Sequence, residues 1–459
     1  MSSEKRSPQR NFGIASLFTM ITLVFLLAGC DAQLVRDSLS GPDDEPVTIR
    51  YVSGLLSSSP DESAPEEAAI ERFNEHMPGI TIDREPQQHG LSHYLSESPP
   101  PDVVMWYEGH ELRHVAQQNQ LSDLTHIWAE NDFGEAYGRQ FREVGRFDGT
   151  YRFVPIGFSW TGIYYNKEVF EQYGLVPPAT WEEFENICDT LLVNGETPLS
   201  LAGQDPFASF FWFSYLNARL NGPSFHRSLI EGEVSYTDER LALVWETWIN
   251  LFRLGYFIEN PGQTNSIGSM NALIRGDATS PLTQKKAVMT LAPHFLAGGL
   301  SREHASELDF FQFPQMNPDV SMGEISIVFG YVIPTEAVNQ PAAGEFVGYM
   351  GSAEAQRLLM GRISEDPSNA GYVPMHRDVE QSLLSVAAGK GREMVRGADE
   401  VLPSLPFALP ASMVVSFTIV IEWMFRDLES VGNEIDVFEI QSILEESRQQ
   451  AFQQGEYRQ

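Results

Sequence analysis

The sequence predicts an α/β protein of two lobes, and three observations carry that reading. From residue 46 onward, strand-like alternation and helix-like periodicity follow one another, the rhythm of a sheet with helices on its faces. A short apolar run behind three prolines, PPPDVVMWY (99–107), suits a buried parallel strand. The chain is also long: of 459 residues, 42% are hydrophobic and 11% aromatic, and more than 400 remain beyond the N-terminal apolar segment. That is enough for two cores rather than one.

The first element is an export signal. Lys5, Arg6 and Arg10 precede an almost wholly apolar run from Phe12 to Leu27, and Leu27-Ala28-Gly29-Cys30 follows. A positive start, an apolar middle and small residues before a cleavage point make residues 1–29 a signal peptide rather than a stable span. The rival reading is a transmembrane anchor followed by a chance cysteine. The LAGC ending resembles the lipobox of bacterial lipoproteins. That resemblance implies acylation of Cys30 and a body tethered outside the membrane, and Asp31 then goes with retention in the inner membrane. Residues 30–46 are polar and turn-rich and read as a flexible tether.

Beyond the tether, VTIRYVS (47–53) alternates Val47, Ile49 and Tyr51 as a strand does. Pro65 is expected to open a helix with Ile70, Phe73 and Met77 on one stripe, stopped by Pro78-Gly79. GITIDRE (79–85) is a second strand. Around Pro155 two extended segments lead into a helix near Lys167. Thr180 and Glu183 form a capping box for the next helix, which carries Trp181, Phe184, Ile187 and Leu191 inward. Cys188 shares that face, so a buried thiol is expected; with Cys30 lipidated, no disulfide can form. Further helices are expected at 237–254 and 341–360. The apolar stretch 414–425 contains Glu422 and is too short to cross a bilayer.

Charge narrows the partners. Against 30 Lys and Arg stand 63 Asp and Glu, a net charge of −33, and loss of residues 1–29 makes it −35. Such a surface repels nucleic acid and anionic lipid.

The block GTYRFVPIGFSWTGIYYNKEVFEQYGLVPPATWEEF (149–184) resembles the family 1 extracellular solute-binding proteins of ABC importers, the maltose-binding-protein type. Four more stretches resemble that family in order: PPPDVVMWYEGHELRHVAQQNQLSDL, KKAVMTLAPHFLAG, GYVIPTEAVNQPAAGEFVGYMGSAEAQRLL and NAGYVPMHRDV. The likeness covers roughly residues 46–380 and weakens toward the C-terminal helices. It implies the two-lobed periplasmic-binding-protein fold, type II, with a ligand cleft between the lobes. On that pattern 47–154 with 327–370 make lobe 1, and 160–322 with 375–459 make lobe 2. Crossing segments then lie near 155–159, 323–326 and 371–374. A monomer is expected, with a small-molecule ligand, a membrane permease as partner, and no cofactor or nucleic acid.

The family mostly carries mono- or oligosaccharides. Aromatic faces stack on the C–H faces of pyranose rings, and carboxylates and amides bond hydroxyls. Carried over residue by residue, the resemblance implies Trp106, Glu108 and His110 as ligand residues after the third strand. It implies Gln204, Asp205, Phe207 and Trp212 in GQDPFASFFW. Where the family often has a Trp, Pro293-His294-Phe295 stands, which makes His294 and Phe295 candidates. Trp160, Ser53 and Tyr372 complete the set.

A rival chemistry sits in the same stretch. His110-Glu111-Leu112-Arg113-His114 is HExxH, which on a helix can place two imidazoles on zinc with the Glu as base. Leu112, Val115 and Ala116 would form the buried stripe, with His110 and His114 opposite it. Arg113 between the ligands is electrostatically costly beside Zn²⁺, and no further HxxGxxH follows. The sequence reading therefore expects no metal and no catalytic residue. The alternatives to a sugar receptor are a binder of a compatible solute or polyamine and, further off, a secreted glycosidase or a zinc hydrolase using His110 and His114.

Overall fold

The computed structural model describes residues 46–55, 60–274, 286–360, 373–429 and 435–457. The signal peptide, most of the tether, Cys30 and Tyr372 lie outside the described residues.

Two sheets organise the chain. In the first run β1 (Val47–Ser53), β2 (Ile80–Pro86), β3 (Val103–Tyr107), β4 (Val154–Phe158), β10 (Val328–Val332) and β11 (Val373–Pro374), in the order β11-β4-β10-β3-β1-β2. β1 pairs in parallel with β2 from Val47 opposite Ile80 to Ser53 opposite Pro86, and in parallel with β3. β10 runs antiparallel to both β3 and β4. The second sheet has the order β8-β5-β7-β6 and contains β5 (Thr161–Asn166), β6 (Leu199–Ser200), β7 (Met289–Pro293) and β8 (Leu308–Phe311). A two-stranded ribbon pairs β9 (Gly323–Ser326) in parallel with β12 (Glu400–Pro403).

The local signals explain these elements. β3 is buried along Val103, Val104, Met105 and Trp106 because sheet neighbours and helices cover both of its faces. Helix α1 (Pro60–His76) starts earlier than Pro65 predicts, with Pro65 inside its early turns, and presses Ala69 and Phe73 onto the first core. Helix α2 (His110–Gln117) buries Leu112, Val115 and Ala116 as expected. Helix α3 (Trp181–Val193) has the predicted capping box and buries Phe184, Ile187, Cys188 and Leu191. Burial pushes the Cys188 thiol well up, so it acts as a packed apolar group. The helix expected over 341–360 is broken into 340–350 and 353–360. Gly351 lies at the break under Phe133, where a Cβ would come within 2.3 Å of the ring.

The second core is helical. It is formed by α4 (Pro206–Asn221), α5 (Pro223–Ile230), α6 (Glu239–Arg253), α8 (Leu405–Ala408), α9 (Ala411–Glu429) and α10 (Val437–Gln453). The apolar stretch 414–425 belongs to α9, whose Met413, Phe417, Val420, Ile421 and Met424 face this core. No helix among the described residues is long and apolar enough to cross a membrane. Residues 375–397, grouped with the second lobe by the family pattern, contact both sheets, with Lys390 donating to Asp309 of β8 at 2.7 Å and Gly391 against Trp160. Ala388 and Val395 of α7 (Val386–Gly397) belong to the first cluster, and Arg392 and Arg396 donate to the carbonyls of Val379 and Met375.

The sheets are joined through very short links. Ser159 and Trp160 lead from β4 to β5, and Ile327 alone separates β9 from β10. The links bond each other: Ser159 N–H donates to the Ile327 carbonyl at 2.9 Å, and Ser326 Oγ to the Ser159 carbonyl at 2.6 Å. Behind them lies a sealed ion pair, with Arg219 of α4 against Glu324 of β9, neither side chain exposed. Arg219 also donates to the carbonyls of Phe313, at 3.1 Å, and Gly323. Gln312 Nε2 donates to Glu324 at 3.0 Å, and the Tyr215 hydroxyl lies 3.0 Å from both Glu324 and the Thr161 carbonyl.

Removing one partner of such a pair strands the other charge. Arg219→Leu is expected to lower unfolding free energy by about 3–5 kcal/mol. Chemical denaturation checks this; a loss under about 1 kcal/mol would mean the carboxylate finds another partner.

Candidate functional site

Strand directions fix where a ligand can sit. In the first sheet the carboxyl ends of β1, β2, β3 and β4 lie at the same edge as the amino ends of β10 and β11. In the second sheet the carboxyl ends of β6, β7 and β8 share an edge with the amino end of β5. Since β4 passes into β5 through two residues, these two edges meet. Ligand sites in open α/β sheets form at such carboxyl ends.

Most of the expected ligand residues reach this junction in the chain trace. Ser53 ends β1, Trp106 and Glu108 flank the end of β3, and Trp160 is in the first link. Gln204, Asp205 and Phe207 follow β6, and His294 and Phe295 follow β7. Their side chains divide sharply. Gln204 is exposed, Asp205, Phe207 and Glu108 are half-buried, and Phe295 keeps 37% exposure. Ser53 is sealed and gives its hydroxyl to Glu66, at 2.7 and 2.9 Å to the two oxygens. Glu66 also takes Tyr51 at 2.6 Å and Arg84 at 2.9 Å, so this cluster braces β1. One Asp205 oxygen accepts from Ser266 N–H at 2.6 Å, fastening the 264–266 turn.

The tryptophans expected as stacking platforms are packed. Trp106 is 9% exposed and lies in the first cluster. Trp212 is fully buried one and a half turns into α4, edge-on to Phe257 and Phe313. Trp160 is 1% exposed with both faces covered. On one side His294 stacks at 4.0 Å and 11° and accepts the Trp160 N–H on Nδ1 at 3.3 Å. On the other lies Gly391, where a Cβ would fall 2.3 Å from the indole. The Trp160 indole N–H is buried without a hydrogen-bond partner.

Phe207 and Phe295, both expected from the sequence, remain partly open, and so do two rings the sequence reading passed over, Tyr107 and Phe407. Tyr107 stacks on Phe407 of α8 at 5.1 Å and 29°, and Phe207 meets Phe407 edge-on at 6.0 Å. Burial raises the Tyr107 phenol, which stays neutral. Tyr107 could have been found by strand alternation, standing between Trp106 and Glu108 on the opposite face. Phe407 sits in LPSLPFALP, which carries no motif. Next to Tyr107 along the chain is Glu108, whose carboxyl burial holds above the usual carboxylate range against the pull of Arg113 at 3.2 Å.

His110 turns away from the cleft. Its Nε2–H donates to the Glu456 carbonyl at 2.7 Å, and burial lowers the imidazole's proton affinity. The His110 and His114 rings lie 5.9 Å apart and nearly parallel. Glu111 accepts from the Ser92 N–H and hydroxyl at 3.0 and 3.2 Å. Among the described residues no three His, Cys, Asp or Glu side chains gather to hold a metal.

The fold and this junction define a class: a two-lobed α/β receptor of the periplasmic-binding-protein type, with the carboxyl edges of its sheets turned toward each other. The chain belongs to the family of bacterial extracellular solute-binding proteins, whose model matches residues 57–357. An uncharacterized ABC transporter extracellular-binding protein of Pyrococcus horikoshii is 25% identical over 343 residues, covering 70% of this chain and 73% of its own. The solved bacterial solute receptor AcbH, described by an exclusive preference for β-D-galactopyranose, is similar with a TM-score of 0.77. Its identity is 21%, over 89% of this chain and 100% of its own. RafE in complex with raffinose gives a TM-score of 0.60 at 18% identity, over 88% and 100%. The chain is thus an ABC-type extracellular solute-binding protein, of a class that binds its solute rather than transforming it.

Glu108 offers a pH test. Its folded-state affinity for protons is raised, so ionisation costs the folded protein stability as pH climbs past the ordinary value of 4.5. The melting temperature of Glu108→Gln relative to the parent should therefore rise between pH 4 and pH 7. A pH-independent difference would show that Glu108 is solvated.

Proposed function

We propose that the chain captures a carbohydrate between its lobes and delivers it to an inner-membrane permease, tethered outside the membrane through acylated Cys30. The observation that carries this reading is the set of half-open rings Tyr107, Phe207 and Phe407 where the strand edges meet, with Glu108 next to Tyr107 along the chain. Rings offer faces to pyranose C–H groups, and a carboxylate accepts paired hydroxyls. Sugar ligands named for the similar structures support the same class. Lobe closure about the short links would shift an open–closed equilibrium toward the form that docks on the permease. On this reading the working ligand set is Tyr107, Glu108, Gln204, Phe207, Phe295 and Phe407. Trp106, Trp160, Trp212 and Ser53 shape the walls.

A thermal-shift screen with galactose, raffinose, maltose and chitobiose, against glycine betaine and putrescine, tests the ligand class. One carbohydrate should stabilise the protein, by about 2.7 kcal/mol at a hundredfold excess over Kd, and be recovered intact. Stabilisation by betaine or putrescine alone, or cleavage of the sugar, overturns the proposal. For that sugar, Tyr107→Ala should weaken binding by about 1–3 kcal/mol by calorimetry, whereas Trp212→Ala should lower stability by about 3–5 kcal/mol. Cys30→Ser should move the chain from the membrane fraction to the soluble one; persistence at the membrane would point to an uncleaved anchor.

A further inference from the structure

The HExxH helix touches the second core at two separate points. At its start, Gly109 lies so close to α8 that a Cβ would come within 2.3 Å of the Phe407 carbonyl oxygen. Arg113 binds there too, donating to the Ala408 carbonyl at 3.0 Å while holding Glu108 at 3.2 Å. The other point is the end of the chain. Past α10, Gly455-Glu456-Tyr457 folds back, and the Glu456 carbonyl accepts from His110 at 2.7 Å with the Tyr457 ring edge-on to the imidazole.

Both receiving segments are firmly held by their own side. Tyr457 and Leu405 are buried in the second cluster, and the Glu456 carboxylate bonds Ser412 of α9. Tyr457 also lies on Gly232, where a Cβ would fall 2.9 Å from its ring. On the other side, α2 is fixed to the first core by Leu112, Val115 and Ala116. The contact therefore joins α2, packed on the first core, to segments packed on the helical core. It consists of a few polar bonds beside a hollow of about 410 Å³ lined by His110, Arg113, Glu231 and Tyr457. Such a contact can break as a unit without opening either core.

We propose that the Ala408 and Glu456 carbonyls form a two-point latch on α2, closed through Arg113 and His110, that sets the balance between lobe arrangements. Its two bonds, Arg113 to Ala408 and His110 to Glu456, use no group of the working ligand set, though Glu108 and Phe407 border them, so its effect is read on the lobe balance without solute. The latch rests on the lobes moving as the proposed function requires.

Nitroxide labels on Asp83→Cys and Val193→Cys, two exposed sites carried by different cores, read the lobe separation in the full chain with Cys30→Ser in detergent. Cys188 is buried and stays unlabelled. Without any ligand, His110→Ala should change the ratio of lobe arrangements about fivefold, the worth of one hydrogen bond. Arg113→Ala should move it the same way. His110→Asn, which keeps an N–H donor, should return it toward the parent. A parent-like distance distribution in both His110→Ala and Arg113→Ala overturns the latch; should His110→Ala fail to fold, the Arg113 variant decides. Because no solute is present, a failed sugar screen leaves this test standing, and unmoved labels leave the sugar reading standing.

Discussion

Glu324 is a carboxylate with no access to water, three residues before the single-residue link between β9 and β10. Burying it is tolerable because both oxygens are bonded: Arg219, Gln312 and Tyr215 converge on it, and Arg219 also donates to the Phe313 and Gly323 carbonyls. Tyr215 carries the same network to the Thr161 carbonyl, at the head of β5. One helix, α4, thus holds both links in register. The relative placement of the strand edges, and so of every candidate ligand residue, depends on this pair. An apolar pair of equal volume can match its stability but does not fix direction, since only the guanidinium fork and the carboxylate demand one orientation.

Much of the fold was legible because its signals are local. Alternation in 47–53, the Thr180–Glu183 box and the apolar spacing of α2 and α3 each act over a few residues, and the structure has each where the spacing puts it. The misplaced details come from tertiary contact. Helix 341–360 breaks because Gly351 must admit the Phe133 ring, and α7 joins the first core because Gly391 can lie flat on Trp160. Neither contact has a trace in the surrounding sequence. The candidate site was legible to the level of strand ends and no further. A strand end says that Trp106, Glu108 and His294 come to the junction, but which way a ring faces is decided by neighbours hundreds of residues away. Phe407 and Gly391 were invisible for that reason.

The histidine motif shows the same limit from the other side. HExxH spacing is a statement about one helix, whereas a metal site is a statement about several. Here the turn after α10 brings a carbonyl and a tyrosine edge to His110, and Ser92 occupies Glu111. Residue types suited to zinc are equally suited to donating hydrogen bonds across a joint.

The Ser159–Ile327 pairing has a thermodynamic consequence. With links of two residues and one residue bonded to each other, few backbone torsions are free to change as the lobes move. These two links then add little ordering cost to solute capture. A receptor built this way should show a heat-capacity change that scales with cleft surface alone, without the excess that accompanies folding of a loop around its guest.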